Sequence, residues 1–109
     1  MRRYLSRKYI LRMSEKKFSE LAEKWREETR YLSSVRDMVL HPAYQQIIGM
    51  GREALPFLFE ELKRQPDHWF WALHAITGED PVPPEEKGNV EAMTRRWLLW
   101  GVANRLINL

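Results

Sequence analysis

The chain has 109 residues, 44% of them hydrophobic, and no cysteine. That is the length of one domain able to bury its own core, and it leaves no disulfide framework and no thiolate chemistry. The net charge of +3 is unevenly held: residues 1–13 carry five bases and no acid, while the remaining 13 bases and 15 acids leave the body at −2.

The chain opens with that basic arm, "MRRYLSRKYILRM", holding Arg2, Arg3, Arg7, Lys8 and Arg12. A nucleic-acid footprint runs along a face of a folded domain, so the body argues against one. The arm reads first as a solvated extension, and second as a contact for nucleic acid or another anionic surface. A third reading makes Met13-Ser14 the natural start, with the arm reflecting an upstream start codon. The arm lacks the apolar stretch of a signal peptide. No apolar run approaches the roughly 18 residues of a membrane span, so no membrane partner is expected and a cytoplasmic location is the default.

Periodicity then predicts helices and no strands. The first spans about residues 15–32, with Ser14 as its cap. Phe18, Leu21, Ala22, Trp25, Thr29 and Leu32 form its apolar stripe. Ser33 and Ser34 end it, and Ser34 can cap a short turn through about Leu40. Pro42 suits a first helical position, and the short helix it opens carries Tyr44, Ile47 and Ile48. Gly51 can adopt the left-handed conformation that closes that helix. A further helix opens near Arg52. Pro56 falls within its first turn or so, where backbone N–H groups have no intrahelical partner. Leu55, Leu58, Phe59 and Leu62 are its buried stripe, and it stops near Gln65 ahead of Pro66.

Asp67 is the expected cap of the next helix, His68 to Thr77, which Gly78 ends. "GEDPVPPEEKGN" follows, stiffened by Pro81, Pro83 and Pro84 into a strap across the body. Asn89 caps the last helix, about residues 90–107. Val90, Met93, Trp97, Leu98 and Gly101 lie along one side of it, and Leu99, Val102 and Leu106 along another. A helix apolar on two sides points to a partner or to self-association.

The segments "IIGMG", "REALPFLFEEL" and "WALHAITG" together resemble a HEAT-type helical repeat over roughly residues 42–78. Gly49 or Gly51, then Ala54, Leu55, Pro56 and Leu58, then Ala72, Leu73 and Gly78 carry that resemblance. From Phe18 to Trp100 the chain is also similar to a set of small, uncharacterised bacterial proteins with the same "HPAYQQIIGMG", "ALPFL", "PDHWFWAL" and "PVPPE" segments. That likeness supplies a fold and no mechanism. The length and periodicity imply a compact all-α bundle of about five helices in one domain over residues 14–109, and the resemblance implies a HEAT-repeat-like centre. HEAT-like arrays imply protein-binding scaffolds, occasionally nucleic-acid binders.

The densest aromatic stretch is "DHWFWALHAITG", residues 67–78. On a helix each residue turns by about 100°, so Trp69, Phe70 and Trp71 point in three directions. One then faces a neighbouring helix and one reaches the surface rim. His68 and His74 lie about 240° apart on that helix, a poor arrangement for a shared metal. His41 can join them only through the fold. The serines stand apart from the histidines, and "GMG" ends a helix where a phosphate-cradling turn would begin one. No catalytic, metal or cofactor site is therefore expected. The function expected is a non-catalytic protein-binding adaptor or regulatory subunit. Its partner is an unidentified protein or a second copy, met through Trp69, Phe70, Trp71, Trp97, Leu99 and Trp100. The alternative is a nucleic-acid-associated or antitoxin-like accessory protein using the basic arm.

Overall fold

The computed structural model describes residues 6–108. They form six α-helices and no strand: α1 (Arg7–Thr29), α2 (Val35–Val39), α3 (Pro42–Gly49), α4 (Leu55–Arg64), α5 (Phe70–Thr77) and α6 (Val90–Ala103). The chain is all-α, as its periodicity predicts. α3 packs between α1 and α5, while α4 packs on α6.

Local chemistry sets most of the helix ends. Pro42 opens α3, and the His41 ring Nδ1 accepts from Ala43 N–H at 3.0 Å. Its other ring nitrogen then carries the proton and donates to Glu28, 2.8 Å away. Gly51 is left-handed (φ 68°) and turns the chain through a 3-10 turn, Gly51–Ala54, into α4. Pro56 falls at the start of α4. Ser34 caps α2, and Asn89 caps α6 through Ala92 N–H at 3.0 Å.

Four boundaries differ from the sequence expectation. α1 begins at Arg7, because Ser6 accepts from Tyr9 N–H at 3.1 Å. Ser14 is thus inside the helix, and its hydroxyl donates to Glu53 at 3.3 Å. α1 also ends at Thr29, leaving Leu32 exposed. α5 begins at Phe70: Asp67 receives His68 N–H at 2.7 Å but caps no helix. α6 ends at Ala103. Arg105 takes a positive φ of 59°, and Leu106 N–H donates back to Gly101 at 2.9 Å. A Cβ on Gly101 would stand 3.1 Å from both Ile107 and Phe59, so glycine permits this close return.

The core is a cluster of rings. Phe18, Trp25, Tyr44 and Trp69 come from α1, α3 and the residue before α5, and all are buried. The Trp69 ring lies 4.4 Å from Trp25, 5.5 Å from Tyr44 and 6.0 Å from Phe18. Leu55, Leu58, Phe59 and Leu62 of α4 complete the interior. Arg26 of α1 meets Glu61 of α4 at 2.9 Å on its edge.

One part stands clear of this body. Every residue from Arg7 to Met13 is exposed, and Phe18 is the first buried residue of α1. The described arm is therefore two helical turns projecting past the core. The Cα radius of gyration is 14.7 Å, against about 13 Å for a compact domain near this size. Arg2 and Arg3 lie outside the described residues.

Candidate functional site

A cleft of 470 Å³ opens between α2, α5, the proline-rich strap and α6. Val35 and Val39, one turn apart, give it an apolar wall from α2. Phe70 and Trp71 line it from α5, and Val90, Met93 and Trp97 from α6. Polar groups stand among them: His68, His74, Asp80 and Lys87.

The cleft depends on how α5 is held. At eight residues, this helix is too short to be stable alone. The residue before it, Trp69, has no side chain able to accept from the first-turn N–H groups. Tyr44 of α3 supplies the acceptor. Its hydroxyl takes Ala72 N–H at 2.9 Å and donates to the His68 carbonyl at 2.9 Å. Burial pushes the Tyr44 phenol well above its usual range; the Ala72 bond opposes this, and the nearby Asp67 charge adds to it. The hydroxyl stays protonated, so it can both accept and donate.

The strap closes the cleft from the other side. Val82 is buried beneath it. Asp80 pairs with Lys87 across the loop and accepts from Val82 N–H at 3.2 Å. The Lys87 hydrogen bond is the main cause that lowers the Asp80 carboxyl below its usual value. His74 Nδ1 lies 2.7 Å from the Glu79 carbonyl. A carbonyl can only accept, so Nδ1 carries a proton. The Trp71 ring stacks obliquely on His74 at 5.4 Å. Glu86 anchors the far end of the strap to Arg96 at 2.7 Å.

The aromatic residues singled out in the sequence take different places. Trp69 is fully buried and offers no surface. Phe70 and Trp97 are buried yet floor the cleft, and Trp71, 52% exposed, stands at its mouth. Trp100 packs on Trp97 and Phe59, 5.5 and 6.4 Å away. Leu99 is exposed but is not part of the cleft wall. The six therefore do not make one patch. His68 and His74 share the cleft despite their angular separation, because His68 precedes α5 and escapes its geometry. His41 turns instead to Glu28. Sequence reasoning missed Val35, Val39 and Met93 as members of one site. The available signal was the i, i+4 valine pair on that short turn.

Among the described residues, no three or more His, Cys, Asp or Glu side chains gather in a metal-holding arrangement. No helix there is long and apolar enough to cross a membrane. The described part of the arm, with Arg7, Lys8 and Arg12, lies at the opposite end of α1 from the cleft. Comparison with protein families, curated proteins and solved structures gives no match to this chain.

Proposed function

We propose that this chain is a non-catalytic adaptor, built as a short HEAT-like stack, whose cleft docks an amphipathic helix. The observation that carries this reading is Trp71. A half-exposed indole stands at the mouth of a cleft whose walls are mainly Val, Phe, Met and Trp. Apolar grooves of this kind accept helices through anchors at i, i+3, i+4 and i+7, and tryptophan is enriched among residues that dominate binding energy. The described residues lining the cleft include no Ser, Thr or Cys to act as a nucleophile. The packing of α3 between α1 and α5, with α4 on α6, supports the stacked-repeat reading.

The surrounding charge favours a basic helix. Residues 79–96 hold Glu79, Asp80, Glu85, Glu86 and Glu91 against Lys87, Arg95 and Arg96, for a net charge of −2. Helical peptides selected by display against the full chain should therefore combine apolar residues at helical spacing with Lys or Arg. Their binding should shift the Trp71 indole N–H resonance. Trp71→Ala should weaken binding by about 2 kcal/mol, or about 30-fold. Peptides that bind wild type and Trp71→Ala equally would refute the reading.

A further inference from the structure

We propose that the helix which docks in the cleft is the projecting arm of a second copy of this chain, so that the protein associates head to tail. The proposal rests on the helix-docking reading and names the occupant.

The arm has the chemistry the cleft asks for. Taken from Phe18 in steps of 100°, Tyr9, Ile10 and Met13 fall within one stripe about 100° wide. Tyr9 and Met13 point away from the Phe18–Trp25 side that enters the core, Ile10 lies at the margin of that side, and α1's own packing leaves all three exposed. Tyr9 is 50% exposed, Ile10 42% and Met13 52%. Residues 7–13 also carry Arg7, Lys8 and Arg12 with no acid, for +3, against −2 over residues 79–96. A basic, apolar-striped helix thus faces an acidic surround with an apolar floor. Arg7, Lys8 and Arg12 make no ion pair among the described residues.

Geometry directs the contact between molecules. The indole of Trp25, near the far end of α1, donates to Met38 of α2 at 2.7 Å. The cleft therefore begins beside the C-terminal third of α1. Ile10 to Thr29 is nineteen residue rises of continuous helix, about 28 Å. The arm cannot reach its own cleft without breaking α1, but it can reach a neighbour's. Because the arm is already helical, docking orders little new chain. Two different patches meet, so the contact is heterologous and leaves one free arm and one free cleft on every pair.

The test uses the full chain and two exposed-site variants. The arm variant is Ile10→Asp with Met13→Asp, and the cleft variant is Trp71→Glu. Circular dichroism matching wild type establishes that both fold. By analytical ultracentrifugation, wild type should build species above 13.2 kDa as concentration rises. Each variant alone should stay at the monomer mass. An equimolar mixture should form one complex of twice that mass and stop, since only one intact arm and one intact cleft remain. A wild type that stays monomeric overturns the proposal, as does association that survives in either variant or a mixture that forms no complex. A monomeric chain that binds duplex DNA through Arg7, Lys8 and Arg12 also overturns it. If display-selected helices bind at Trp71 while the full chain stays monomeric, helix docking stands and self-association falls.

Discussion

Trp69 and Trp71 are two residues apart, yet one is sealed and the other stands in solvent. Trp69 meets three rings from α1 and α3, and Trp71 meets His74 on its own helix. The two surroundings are the closed ring cluster between α1, α3 and α5, and the open cleft between α2, α5 and α6. The fate of a ring follows from how many elements face it. α5 packs on α3 on one side, and on the other it faces the cleft that the strap bridges.

Truncation should separate the two regions most sharply. Trp69→Ala should cost about 3–5 kcal/mol, because the surrounding rings cannot fully collapse into the space. Urea denaturation gives that value directly. Tyr44→Phe should cost about 1–3 kcal/mol, since it strips a partner from Ala72 N–H and from the His68 carbonyl. The same variant should also broaden the amide resonances of α5.

A finer comparison lies within the ring cluster. The Trp25 indole N–H donates to Met38, whereas the buried Trp69 indole N–H has no partner among the described residues. Trp25→Phe should therefore be more costly than Trp69→Phe by about 1 kcal/mol. Equal losses would show that ring volume alone matters there.

The cleft side should respond weakly in stability and clearly in local structure. The folded-state pKa of Asp80 is lowered, chiefly by Lys87. The pair's contribution is thus present above the unfolded Asp value of about 3.9 and fades as pH falls through the lower folded value. The Val82 amide resonance should move over that acid range, and Asp80→Asn should abolish the movement. Trp71→Ala should change global stability by no more than about 0.5 kcal/mol, while removing docking. A large loss of stability would place Trp71 with the core.

Signals confined to a few neighbouring residues were legible in the sequence. Pro42, Gly51, Gly78 and Asn89 mark helix ends through their own backbone or side-chain chemistry, and each does so in the structure. The buried stripe of α4 was legible for the same reason. The start of α5 was not, because its cap comes from Tyr44, 28 residues before Ala72. The end of α6 was hidden as well, since the return of Leu106 and Ile107 onto Gly101 cuts short an apolar periodicity that continues. The candidate site was half visible. Trp71 was named, but Val35 and Met93 join it only when three distant segments converge.

The bond from Tyr44 to α5 also makes one part of the fold depend on another. A helix of eight residues whose opening N–H groups rely on another segment has little reason to form before that segment arrives. α5 therefore depends on α3, and the wall bearing Trp71 is complete only once Tyr44 is in place. A chain caught midway would have its projecting N-terminal helix while its receiving surface was unfinished. In a protein that joins end to end, growth would then wait until each new molecule had completed its interior.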